Sequence, residues 1–158
     1  MGMEIERRFL VRGDSWRALG EPLVYRQGYL SVDPARTVRV RVVGDRAWLT
    51  IKAKITDASR YEFEYDLPLA DAQTMLDALC PMQVQKHRTR VAHAGMTWEV
   101  DEFFGANAGL VLAEIELPDE QTPFERPDWL GEEVTADSRF TNAWLADHPF
   151  SSWDHSSE

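Results

Sequence analysis

The 158-residue chain has one cysteine, Cys80, so no intramolecular disulfide can contribute to its stability. It lacks an apolar run long enough to cross a bilayer and an N-terminal apolar segment of signal-peptide length, so a cytoplasmic protein with no membrane partner is expected. Histidine is sparse, and His87 has no second His or Cys at ligand spacing, which argues against zinc. Positive charge is also in short supply. Lys and Arg total 17 against 27 Asp and Glu, a net charge of -10 that disfavours nucleic acid as a partner unless the basic residues are gathered in one place. No internal repeat, low-complexity tract or interdomain linker interrupts the chain. The expectation is a single domain over residues 1–150, followed by a polar tail, 151–158, that frays.

Short segments of alternating polarity dominate the sequence, separated by turn-forming stretches such as VDPA (32–35), VGDR (43–46) and HAGM (93–96). The fold class is therefore mainly β, an α+β arrangement with a few packing helices. Two helices are predicted. LADAQTMLDALC (69–80) places Leu69, Met75, Leu76 and Leu79 at helical spacing, and SRFTNAWLADH (138–148) offers Ser138 as a cap before Phe140, Trp144 and Leu145. DSWRALG (14–20) is a weaker helical candidate. The three prolines of 118–131 predict an extended loop.

Six strand-like segments each carry two like charges at i and i+2: Glu4 and Glu6, Arg39 and Arg41, Lys52 and Lys54, Glu62 and Glu64, Lys86 and Arg88, Glu114 and Glu116. Residues i and i+2 of a strand point the same way, about 6.5–7 Å apart, so each pair concentrates one sign of charge on one face. Any single pair reads simply as a solvated face. Six in succession, opposite apolar faces such as Val38, Val40, Val42, Leu49, Ile51, Phe63, Tyr65, Ile115 and Leu117, suggest charged faces turned toward one another. A closed antiparallel barrel permits this, with its apolar exterior packed under helices and loops. The partners such an interior requires are divalent cations for the carboxylates and a compact polyanion for Lys and Arg. That combination suits metal-dependent phosphoryl transfer. In MEIERRFLV (3–11) the alternation turns Glu4, Glu6 and Arg8 inward and leaves Arg7 the one polar residue on the apolar face.

The ordered series EIERRFLV, QGYLS (27–31), TVRVRV (37–42), LTIKAK (49–54), RYEFEYDL (60–67), QKHRTR (85–90), WEVDEF (98–103), LAEIEL (112–117) and GEEVTADSRFTN (131–142) resembles bacterial members of the CYTH family, the triphosphate tunnel metalloenzymes. The resemblance implies an eight-stranded antiparallel β-barrel whose tunnel binds a small-molecule triphosphate together with Mg2+ or Mn2+. It implies that Glu4, Glu6, Glu114 and Glu116 hold one metal, and that Glu62 and Glu64, helped by Asp101, support a second metal and an attacking water. Arg39, Arg41, Lys52, Lys86 and Arg88 would clamp phosphates, with Lys54, Arg90 and Arg139 as further candidates. The family element ends in lysine where this chain has Arg8, which still neutralises phosphate but cannot give up its proton. Tyr29 is the candidate proton acceptor, and a packed, hydrogen-bonded tyrosine is its equally weighted alternative. Cys80 and the six tryptophans read as structural.

The activity implied first is hydrolysis of inorganic tripolyphosphate to pyrophosphate and phosphate. Three alternatives stay open: adenylate cyclase forming cyclic AMP, hydrolysis of thiamine or nucleoside triphosphates, and a non-catalytic polyphosphate-binding module. Monomer and homodimer are both compatible with the sequence.

Overall fold

In the computed structural model, which describes residues 2–153, the alternating segments form nine antiparallel strands. They are β1 (Met3–Val11), β2 (Pro22–Ser31), β3 (Thr37–Val43), β4 (Arg46–Lys54), β5 (Ser59–Leu67), β6 (Met82–His93), β7 (Met96–Phe103), β8 (Val111–Glu116) and β9 (Leu130–Glu133). Neighbours run in the order β5-β4-β3-β2-β6-β7-β8-β1, and pairing of β1 with β5 closes the eight strands into a barrel. The seam is short: Met3, Glu4 and Ile5 lie opposite Tyr61, Arg60 and Ser59. β9 attaches outside the closed ring, against the end of β1. The β6–β7 hairpin turns through Ala94 and Gly95, both at positive φ, the conformation that two-residue hairpin turns demand.

Two helices cover parts of the wall, α1 (Leu69–Ala78) and α2 (Asn142–Asp147). α1 buries Ala72 and Leu76 against Val40 and Ala47. Its C-terminal end presses on β2 so closely that a Cβ at Gly28 would stand 2.7 Å from the Cβ of Cys80. α2 is shorter than the spacing predicted. Ser138 belongs to a separate 3-10 turn (Ser138–Phe140), and Thr141 caps α2 by accepting from the amide of Trp144. The 14–20 candidate is also a 3-10 turn, Ser15–Leu19, which buries Trp16.

The apolar clusters lie largely outside the barrel wall. Phe9, Trp98, Val100 and Ile115 pack with Trp129 and Phe124 from the proline-rich segment, which thus serves as a cover before running into β9. Arg7, the polar residue on that outer face, is accommodated by a bidentate pair with Glu133 (2.8 and 2.6 Å) and by the ring of Phe124 beneath its guanidinium. A second cluster joins Phe103, Leu112, Phe140 and Leu145, with Phe150 and Trp153 against it. Trp153 therefore packs within the expected tail, and residues 154–158 lie outside the described residues. The expectation that every apolar face is covered fails on β4 and β5. Ile51, Phe63 and Tyr65 stay 36%, 44% and 57% exposed, because α1 reaches only as far as β3 and the start of β4. Among the described residues no helix is long and apolar enough to cross a membrane.

Candidate functional site

With the apolar residues turned outward, the barrel interior receives the charged faces. A cavity of about 630 Å³ opens there. Its mouth is formed by the β2–β3 loop with Asp33 and Pro34, by the β4–β5 hairpin with Lys54, Asp57 and Arg60, and by α2 with Trp144 and His148. Strand register sets the depth of each side chain. Lys52 lies opposite Glu62, Arg39 opposite both Tyr29 and Thr50, and Arg8 opposite Glu114.

One part of the wall is acidic and internally paired. Arg8 reaches Glu6 at 2.9 Å and Glu114 at 3.1 Å, Arg88 reaches Glu114 at 3.0 Å and Asp101 at 2.7 Å, and Lys52 reaches Glu4 at 2.9 Å and Glu62 at 3.4 Å. Burial alone would push the Glu114 carboxyl up, but Arg8 and Arg88 outweigh it and hold the group well below the usual carboxylate range. Glu6 behaves oppositely. Burial, followed by the neighbouring charges of Glu114 and Glu4, drives it well above that range despite Arg8. Burial and like charge also raise Glu62, next to Glu4, and Glu116, near Glu4, Glu62 and Glu99. This wall holds more negative charge than its own cations compensate.

The facing part is basic and thinly compensated. Arg41 donates to the Gln27 Oε1 at 3.0 Å and lies over the ring of Tyr25, yet among the described residues it has no carboxylate within ion-pair distance. Burial, with Arg39 and Arg88 nearby, lowers its pKa to about 10. Arg39 donates to the Thr50 hydroxyl at 3.2 Å and stands 3.8 Å from Glu64, while its buried Nε has no partner. Lys86 is fully buried and donates to Asp101 at 2.7 Å and to the Asn142 Oδ1 at 2.8 Å. Burial, reinforced by Arg88 and Arg41 and opposed by Asp101, lowers its pKa to about 7. Buried cations without matching carboxylates are costly and point to an anion as the absent partner.

The structure brings most of the residues singled out from sequence to this cavity: Glu4, Glu6, Arg8, Tyr29, Arg39, Arg41, Lys52, Lys54, Glu62, Lys86, Arg88 and Glu114. Five others stand elsewhere. Asp101 is 1% exposed beneath Lys86 and Arg88, serving as their counter-ion rather than facing the cavity. Glu64 is exposed on β5 and accepts from Thr50, and Glu116 is exposed at the end of β8, so neither lines the cavity. Arg139 is drawn to Asp137 at 2.7 Å and lies over Phe140 and Trp153. Arg90 pairs with Glu99 on the exposed end of β6. His87 packs at a tilt against Phe104 and Cys80 is buried under α1, both in structural settings.

Four contributors escaped the sequence reading. Gln27, Thr50 and Asn142 are neutral, and Arg60 precedes the like-charge pair on its strand. Their signal was parity: Gln27 shares a face with Tyr29, Thr50 with Lys52, and Arg60 with Glu62. The Tyr29 hydroxyl accepts from the Gln27 Nε2 at 3.3 Å. Among the described residues, no three carboxylate, imidazole or thiol groups form a ready ligand set; Lys52 and Arg8 hold one oxygen each of Glu4 and Glu6, and Arg8 and Arg88 hold the two of Glu114.

A family model for the CYTH domain matches residues 2–141. An inorganic triphosphatase of Acetivibrio thermocellus is 48% identical over 151 residues, 95% of this chain and 97% of that protein. An inorganic triphosphatase of Nitrosomonas europaea is 34% identical over 148 residues, 90% of this chain and 96% of that protein. The solved structure of the inorganic triphosphatase NE1496 superposes with a TM-score of 0.66 at 32% identity, covering 90% of this chain and 93% of that one. A conserved hypothetical protein from Pyrococcus furiosus shares the fold, with a TM-score of 0.59 at 19% identity over 75% of this chain and 80% of that one.

Proposed function

The chain belongs to the CYTH domain family, and on that premise we propose that its tunnel binds inorganic tripolyphosphate and hydrolyses it to pyrophosphate and phosphate with the help of Mg2+ or Mn2+. One observation carries the substrate class: among the described residues Arg41 has no carboxylate partner in the cavity wall, and Arg39 beside it has only a distant one, Glu64 at 3.8 Å. A compact polyanion lying along Arg39, Arg41, Lys52, Lys86 and Arg88 supplies the compensation, with Lys54 and Arg60 at the mouth.

The acidic wall suits a hard divalent cation. Burial and then neighbouring carboxylates raise Glu6 and Glu62, a cost that a cation would relieve, and oxygen donors match Mg2+ and Mn2+. Glu4, Glu6, Glu62 and Glu114 would hold it. When bound, the ion neutralises phosphate charge and makes its water more acidic. Arg8, with Glu6 and Glu114 both on its guanidinium, orients those carboxylates, so its fixed proton is no obstacle in the place of the family lysine. The Tyr29 hydroxyl, lining the cavity and held by Gln27, is placed to hand a proton to or from a phosphate oxygen.

A second reading, turnover of a nucleoside triphosphate, has one observation in its favour. The Trp144 ring is 38% exposed at the mouth and is stacked on His148 at 4.0 Å, where a base could stack. The test is phosphate release from tripolyphosphate and from ATP, each with Mg2+ and with Mn2+, with cyclic AMP measured in the ATP reactions. Preference for tripolyphosphate supports the proposal. Preference for ATP, or cyclic AMP as the product, replaces it.

A further inference from the structure

Two neutral side chains, one buried and one half-buried, take no part in the charge pairing yet touch Arg41 and Lys86. Gln27 is fully buried on β2, and Asn142 is the first residue of α2. The Asn142 Oδ1 accepts from the Lys86 Nζ at 2.8 Å and from the Gln27 Nε2 at 3.0 Å. The Gln27 Oε1 accepts from the Arg41 Nε at 3.0 Å, and its Nε2 also reaches the Tyr29 hydroxyl. A continuous chain of amides therefore ties Arg41 on β3 to Lys86 on β6 and anchors both to α2.

The contrast with the acidic wall is informative. There, Arg8, Arg88 and Lys52 are held by carboxylates, which fix position but also cancel charge. An amide oxygen accepts the same hydrogen bond without contributing a full negative charge. We propose that Gln27 and Asn142 are positioning residues that fix Arg41 and Lys86 by neutral amides, so that no carboxylate cancels the charge of Arg41 and none besides Asp101 cancels that of Lys86, which leaves this wall able to take an anionic substrate. This rests on the triphosphate reading of the cavity. It adds an assignment for residues that bear no charge, and gives α2 a role in the site beyond covering one end of the barrel.

Asn142 offers a discriminating substitution because both of its recorded bonds are accepted by one oxygen. Asn142→Asp preserves shape and acceptor while adding charge, whereas Asn142→Leu removes the acceptor at similar size. The experiment measures the dissociation constant for tripolyphosphate by calorimetry without metal, then kcat and KM with metal, for wild type and both variants, with thermal melting as the check on folding. Neutral positioning predicts that Asn142→Asp melts like wild type or higher, yet weakens tripolyphosphate binding and raises KM at least about tenfold, a loss of about 1.4 kcal/mol. It predicts that Asn142→Leu lowers kcat while changing KM less, as Lys86 loses its orientation. Wild-type affinity and KM in Asn142→Asp would overturn the inference, as would unaltered kcat in Asn142→Leu. Gln27→Glu gives a second route should either variant fail to fold, and must weaken binding in the same sense. Failure of the wild type to bind or cleave tripolyphosphate would instead overturn the triphosphate reading, and the inference with it. Binding without cleavage still tests the amides through affinity alone.

Discussion

Replacing Arg41 with methionine should stabilise the empty protein while weakening its hold on tripolyphosphate. Methionine matches the length of the arginine stem but leaves no charge beneath Arg39 and Arg88. Lowering an arginine from 12.5 to about 10 corresponds to about 3 kcal/mol against its charged form. Below pH about 10 the group is protonated in both folded and unfolded chains, so this cost is fully present at neutral pH and is relieved only as pH rises past about 10. Against it stand the hydrogen bond to Gln27 and the contact with Tyr25, together about 1–2 kcal/mol. The net expectation for Arg41→Met is a gain of about 1 kcal/mol, or about 2–4 °C in Tm for a domain of this size. Differential scanning fluorimetry at pH 7, with and without tripolyphosphate, reads both effects. The variant should melt above wild type alone and show a smaller upward shift when tripolyphosphate is added. A variant that melts below wild type without ligand, or that retains the full ligand shift, would refute an uncompensated Arg41.

Glu114→Gln should be strongly destabilising, by about 3 kcal/mol and about 6–12 °C, because Arg8 and Arg88 lose a shared buried carboxylate; chemical denaturation provides the check. Glu133→Gln releases the outer Arg7 pair and should cost about 1 kcal/mol at pH 7. Arg7, through its hydrogen bond, lowers the Glu133 carboxyl from 4.5. The difference from wild type should therefore be complete above that value and disappear as pH falls through the lower folded one, as pH-dependent urea titrations would record. Gly28→Ala should lose about 1–3 kcal/mol, since its Cβ would meet Leu76 and Cys80 at under 3 Å; Tm measurement tests it.

The alternation of MEIERRFLV correctly placed Glu4, Glu6 and Arg8 on the cavity face, and the repeated sign segregation on other strands anticipated a charged interior. Alternation specifies a face, however, and not a height along a tilted barrel. That is why Glu62 reaches the cavity while Glu64 does not, and why Glu116, level with Glu6 in the ladder, ends exposed. Partnership is equally invisible in one dimension. Asp101 has the right parity for the interior but is claimed by Lys86 and Arg88 above it, and Arg139 is turned aside by Asp137 two residues away. Gln27 and Asn142 lie 115 residues apart, and only the docking of α2 brings them together. The uncovered aromatics of β5 follow from the same gap, because the length of a covering segment does not say which strands it reaches.

The most direct test of the central claim is phosphorus NMR of tripolyphosphate incubated with purified protein and either Mg2+ or Mn2+. The account predicts metal-dependent loss of the tripolyphosphate signals and appearance of pyrophosphate and phosphate in equal amounts. Persistence of tripolyphosphate with a folded protein, under both metals and with Tm unchanged by the anion, would contradict the assignment of this tunnel to triphosphate chemistry.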